Sequence, residues 1–343
     1  MSETRDRPAL TDPFEIGGVH IPNRVLLAPL AGIGNWFVRM QARRHGAGLA
    51  VSEMVSSYAI QHGNRRTLEE MLRIHPDEHP VSIQLFGPDP DVMRGAAATV
   101  AEAGADLIDL NMGCPVPKVC KTGAGAALLA DPDRAVAVAR AAAEGSGLPV
   151  TVKIRSGLKP GDSSGAELAV RLVEEAGVAA IGFHPRAASV HHKGRPDYEL
   201  ARRVRERIDV PMIISGGLRD AERARRAYED AGADAVMIAR GSLGYPWIFA
   251  ELTGSRTGPP TPEEIAAELE SLLSSGAEHW GPERAARNLR KFYPWYLERL
   301  GIAGPEADAF QRTESLDEVR GLLEKALANA SFAGETTREY APL

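Results

Sequence analysis

The 343-residue chain is 44% hydrophobic and 25% charged, the balance of an ordinary globular protein with ample length to bury a full core. Its net charge of −6 argues against indiscriminate nucleic-acid binding but leaves room for a local basic face. Two cysteines, Cys114 and Cys120, exclude a disulfide framework and lack the second ligand pair of a zinc site, so no metal is expected.

No apolar run reaches membrane-spanning length, and the polar N-terminus has no signal-peptide core, so a cytoplasmic protein is expected. Residues 1–13 read as a loose N-terminal tail. Residues 14–23 alternate around Gly17-Gly18, a hairpin signal. A period of roughly 25–35 residues then sets in, the length of a βα unit. Apolar runs at 25–29, 49–53, 81–85, 107–110, 150–154, 180–183, 212–214 and 235–239 predict buried parallel strands. The helical patterns between them end three times in an Ala-Gly turn, at 103–105, 176–178 and 231–233, which leads into the next strand. Eight such units predict a (β/α)₈ TIM barrel over 14–254, with the hairpin plugging its lower mouth. A Gly/Pro/Thr linker follows and ends in a helix start, Thr261-Pro262-Glu263-Glu264. The remainder, 258–335, predicts a small helical domain with a basic, aromatic stretch over 279–301.

A parallel barrel holds its ligand at the carboxyl ends of its strands, and polar residues recur there in nearly every unit. They include Gln84 after the third strand, Asn111 and Cys114 after the fourth, Lys153 and Arg155 at the fifth, and His184 and Arg186 at the sixth. The loops of units seven and eight, Ser215-Gly216-Gly217 and Ala239-Arg240-Gly241, are glycine-rich, as barrels seat a phosphate on backbone N–H groups. A phosphate seat, an inward lysine and a glutamine offering donor and acceptor suit flavin mononucleotide (FMN), whose reduced ring carries charge that a lysine stabilises. Cys114 lies on a loop stiffened by two prolines with Lys118 and Lys121 nearby, a setting for a functional thiol.

These residues resemble the bacterial tRNA-dihydrouridine synthases. The specific pieces are APLAG at 28–32, LNMGCP at 110–115, GAGAALL at 123–129, VKIRSG at 152–157, HPR at 184–186 and ARGSLGYPWIF at 239–249. RKFYPWYLERL at 290–300 resembles that family's C-terminal helical domain. The resemblance implies reduction of the carbon 5–carbon 6 double bond of particular uridines in tRNA by FMN, which NADPH recharges. It implies Cys114 as the acid that protonates carbon 5. Pro29, Leu30, Ala31, Gln84 and Lys153 would bind FMN, with His184, Ser215, Gly216, Gly217, Ala239 and Arg240 toward its phosphate end. Asn111 and Arg155 would hold the target base. Apart from the resemblance, Arg284, Arg287 and Lys291 recur at helical spacings of three and four, which predicts one basic face with Arg290 beside it; Arg287, Arg290 and Lys291, with Arg186 on the barrel rim, are expected to contact tRNA. The chain departs from the family pattern at Gly34-Asn35, at Ser215-Gly216-Gly217, at Ala239 and at His192, where a tyrosine is common. A monomer is expected. Two other readings are an FMN barrel oxidoreductase acting on a small molecule, and a non-catalytic tRNA-binding or folding factor.

Overall fold

The computed structural model describes residues 7–332; the expectations for residues 1–6 and 333–335 lie outside them. Two compact units make up the chain. The first runs to Ser242 and resumes over Pro246–Thr257; the second comprises Leu243–Tyr245 and the chain from Gly258 onward.

The first unit opens with an antiparallel hairpin, β1 (Phe14–Ile16) and β2 (Val19–Ile21). Nine parallel strands follow: β3 (Val25–Leu27), β4 (Leu49–Val51), β5 (Val55–Ser56), β6 (Val81–Phe86), β7 (Leu107–Met112), β8 (Val150–Arg155), β9 (Ala180–His184), β10 (Met212–Ser215) and β11 (Ala235–Ile238). The order β4-β3-β11-β10-β9-β8-β7-β6 closes on itself through β4–β6 pairing, giving an eight-stranded barrel. The short β5 adds to the end of β6. Closure removes the sheet edges, which would otherwise expose unpaired backbone groups.

Alternation along each strand sorts its residues into two sets. The alternate positions, such as Val25, Leu27, Ile108 and Leu110, are apolar and buried. Inside, the lower barrel is filled by Leu26, Leu49, Leu107, Ala180, Ile213 and Ala235, packed against Ile16 and Ile21 of the hairpin. Both hairpin isoleucines are fully buried, each contributing about 1.5–3 kcal/mol, so the expected plug forms. Higher in the barrel, three adjacent strands turn polar. Register sets Gln84, Asp109 and Thr151 in one row, and Asn111 beside Lys153 in the next. Asn111, Arg155, His184 and Ser215 therefore belong to the ladder, not to the loops beyond the runs that end at 110, 154, 183 and 214. Strand pairing such as Arg155 with His184 carries the sheet further than the apolar pattern does.

Helix starts follow capping chemistry: Asp89, Asp131, Asp197 and Asp220 each accept an N–H of the first turn of the helix they begin. At the N-terminus, Tyr228 donates its hydroxyl hydrogen to Pro8 O at 2.8 Å, and Arg24 N–H donates to Leu10 O at 2.8 Å.

The second unit is helical, over Pro262–Trp280, Pro282–Asn288, Tyr293–Arg299, Gly304–Arg312 and Leu316–Phe332. Thr261 and Glu264 form the capping box that the sequence predicts. Phe292, Tyr293 and Tyr296 are buried with Leu269, Leu289 and Phe310, so most of the aromatics build this unit's core. The continuous helical face expected through 284–291 is interrupted by a 3₁₀ turn at Leu289–Lys291. Pro294 explains the break: it has no N–H to donate to Arg290 O, as helical continuation would require. Gln311 Nε2 donates to that carbonyl instead, at 3.0 Å.

Candidate active site

A cavity of about 300 Å³ opens at the carboxyl ends of the strands. Pro29, Ala31, Gln84, Asn111, Cys114, Lys153, Arg155, His184, Ser215, Gly216, Gly217, Ala239 and Arg240 all line it, so the structure brings together most of the residues singled out in the sequence. Leu30 does not line it. Its carbonyl accepts N–H groups of Ile33 and Gly34 in a tight turn, and its side chain is buried. Arg186 stands behind the glycine loop, where a β-carbon on Gly217 would come within 3.1 Å of its guanidinium. Arg287, Arg290 and Lys291 belong to the helical unit.

The thiol loop is held from both sides. Asn111 Oδ1 accepts the N–H groups of Gly113 at 3.2 Å and Cys114 at 2.9 Å, closing a turn directly after β7. Arg155 donates from Nε to Gly113 O at 2.9 Å, and from one terminal nitrogen to Ala187 O at 3.2 Å and His191 O at 2.7 Å. It thus clamps the Cys114 loop to the loop after β9. Cys114 O accepts from Ala126 N and from the Cys120 thiol. Burial raises the pKa of the Cys114 thiol, against smaller lowering effects from the Val116 backbone and Arg155. Burial thus favours the thiol over the thiolate.

Beneath it lie the polar rows. Thr151 Oγ1 donates to Asp109 Oδ1 at 2.6 Å, Gln84 Nε2 donates to Asp109 Oδ2 at 2.5 Å, and Asn111 Nδ2 donates to Gln84 Oε1 at 2.9 Å. Burial pushes Asp109 up to about 6, opposed by these two hydrogen bonds and by Lys153. Lys153 Nζ donates to Ser215 Oγ at 3.1 Å. Burial, with repulsion from Arg155, lowers it to about 8.

The far end of the cavity is cationic. Arg219 and Arg240 line it, Lys153 and Arg155 line the cavity elsewhere, and no Asp or Glu among the described residues lines the cavity. Burial and mutual repulsion lower Arg155 to about 10 and His192 to about 4, and depress Arg186 and Arg240 as well. Buried charges need counter-charges, so this end is built for an anion. Gly216 and Gly217 sit there at φ +98° and +85°. A β-carbon on Gly216 would stand 2.2 Å from the His184 ring, so this approach of loop to strand requires glycine.

Sequence reasoning passed over Arg219 and Asp109. Arg219 lies two residues beyond Gly217, and Asp109 shares the inward face of Asn111 two residues on; either spacing was a usable signal.

The dihydrouridine synthase family model matches residues 26–331. The tRNA-dihydrouridine synthase B of Pseudomonas aeruginosa is 36% identical over 310 residues, 88% of this chain and 92% of that protein. A probable tRNA-dihydrouridine synthase 1 of Synechocystis is 34% identical over 326 residues, 93% and 91% of the two chains. Among solved structures, the old yellow enzyme homologue of Zymomonas mobilis superposes with a TM-score of 0.54 at 15% identity, covering 75% of this chain and 96% of that one, a likeness of fold. With a family match over most of its length and relatives above one-third identity, this chain belongs to the dihydrouridine synthase family.

Proposed function

We propose that the protein reduces the carbon 5–carbon 6 double bond of uridines in tRNA, with FMN as its flavin and NADPH as reductant. The observation that carries this reading is a thiol, Cys114, fixed beside a cationic, glycine-floored pocket in a member of this family.

The residues present fit FMN. The donor set is one that a phosphate demands: consecutive left-handed glycines flanked by Arg186, Arg219 and Arg240, without a competing carboxylate lining the cavity among the described residues. Further in, the half-buried Lys153 ammonium has its bond to Ser215 and two more donors to give to a ring heteroatom. Pro29, Ala31 and Ala239 line the cavity with small and apolar surface suited to a flat heterocycle. FMN, when bound, supplies the hydride to carbon 6 of the uracil.

The chain's own residues do the rest. Gly216 and Gly217 bind phosphate through N–H groups, and the arginines neutralise it. Gln84 and Lys153 orient the ring, with Lys153 holding a positive charge against it. His184, buried and held neutral by burial and the surrounding cations, supports the glycine loop. Arg155 retains a terminal nitrogen beyond its three backbone bonds with which to hold the base, beside Asn111. Cys114 Sγ donates its proton to carbon 5. A uracil must leave its stack to reach this cavity.

Loss of dihydrouridine from tRNA in a strain lacking the gene, mapped position by position, tests the function; an unchanged set of dihydrouridines would refute it. Lys153→Ala tests the assignment of its charge. We expect FMN to be retained while its reduction by NADPH slows about 10- to 10²-fold, the scale of one electrostatic donor. Reduction at the wild-type rate would remove Lys153 from this role.

The helical unit provides a second test. Arg287 and Lys291 are exposed, whereas Arg290 donates to Thr313 O at 2.6 Å within the unit. Arg287→Ala with Lys291→Ala should weaken tRNA binding and lower its salt slope by about 2, near one unit per phosphate contact. FMN content should not change. Arg290→Ala should instead lower thermal stability, by about 1–3 kcal/mol for a lost charge-assisted hydrogen bond. An unaltered salt slope in the double variant would move the tRNA footprint elsewhere.

A further inference from the structure

Among the buried ionisable groups that the proposed mechanism does not use, Asp109 is the one beside the cavity. Asp109 lies on β7 with 2% of its surface exposed, beneath the cavity and outside its lining. A carboxylate so placed is costly unless its hydrogen bonds are satisfied, and barrels fill this layer more cheaply with apolar side chains. Both oxygens are satisfied, one by Thr151 and the other by Gln84.

What distinguishes Asp109 is the direction it imposes. An ionised carboxylate only accepts, so the Gln84 amide must turn Nε2 toward it. Gln84 Oε1 then faces Asn111 and accepts from Nδ2, which turns Asn111 Oδ1 toward the loop. That oxygen receives the N–H of Cys114. Each amide in this series is two-faced, and reversing either would set donor against donor or oxygen against oxygen. The carboxylate at the foot of the series removes the ambiguity.

We propose that Asp109 is a positioning residue for the Cys114 thiol, acting through the amides of Gln84 and Asn111. This rests on the reading of Cys114 as proton donor. It predicts that proton delivery carries the larger cost of disturbing Asp109, and that FMN binding and NADPH oxidation, in which Gln84 also takes part, change by much less. A displacement of about 1 Å in a reacting group can lower a rate about 10²-fold.

The test is Asp109→Asn, which keeps shape and hydrogen-bonding capacity but can face Gln84 with either a donor or an acceptor. Holoenzyme is first reduced by NADPH, then mixed with tRNA in a single turnover. We expect dihydrouridine formation to slow about 10- to 10²-fold, with FMN content and the NADPH half-reaction within about threefold of wild type. Alkylation of Cys114 by iodoacetamide should change its rate in the same variant, a readout that a merely structural loss would not move. A double-mutant cycle with Asn111→Ala supplies the second arm. If Asp109 acts through Asn111, Asp109→Asn adds little once Asn111 is gone. Multiplicative losses in the cycle, wild-type single-turnover rates in Asp109→Asn, or an equal slowing of the NADPH half-reaction would each overturn the proposal. Failure of the wild-type protein to form dihydrouridine would instead refute the function on which it rests.

Discussion

Replacing Cys114 by alanine is expected to abolish most tRNA reduction while leaving a yellow protein that NADPH still reduces. The loss should be about 10²–10⁴-fold in single-turnover dihydrouridine formation, the usual worth of a positioned general acid. The structure gives the reason for the split. The thiol is presented by the turn closed on Asn111 and by the Arg155 clamp, whereas the anion seat is built from β9, β10 and β11. Burial favours the protonated group, so it needs no partner base to serve as an acid. Cys120→Ala should stay close to wild type. It removes one weak sulfur hydrogen bond to Cys114 O, which Ala126 N still satisfies. A variant Cys114→Ala that reduces tRNA at the normal rate would exclude the thiol as donor. An equal loss from Cys120→Ala would point to a paired role.

Gly216→Ala is expected to have the second large effect, on cofactor retention. Its backbone lies at φ +98°, costing roughly 1–2 kcal/mol for any L-side chain. The added methyl would also stand 2.2 Å from the buried His184 ring, and overpacking of this kind costs about 1–3 kcal/mol more. Relief requires the loop to move, and with it the N–H groups proposed to receive the phosphate. An FMN affinity lower by about 10²–10³-fold follows, each factor of ten being about 1.4 kcal/mol. Gly104→Ala is the control, since it shares a left-handed backbone at φ +94° but meets open space. It should lose a little stability and keep its FMN. If both variants retain FMN equally, the glycine loop is not the phosphate seat.

The barrel was legible because each strand is a short apolar run bounded by turns, and the hairpin because Gly17-Gly18 interrupts an alternation. The cavity was legible for the same reason: polar residues at successive strand ends have no structural need to be there. Three things were not. Leu30 sits in a motif shared with its neighbours, but a turn carries its side chain into the interior, and sequence spacing does not record that rotation. Asp109 was hidden inside a run read as apolar, where a single inward carboxylate does not disturb the strand pattern. Arg290 falls at helical spacing from Arg287, yet the missing N–H of Pro294 breaks the helix and leaves Arg290 bonded to Thr313.

The most direct test of the account is to supply the purified, FMN-loaded protein with NADPH and a tRNA lacking dihydrouridine, then digest the RNA and identify its nucleosides by mass spectrometry. The account predicts dihydrouridine at discrete positions, formed with NADPH and greatly reduced for Cys114→Ala. Unmodified uridine throughout, under conditions where NADPH reduces the flavin, would contradict it.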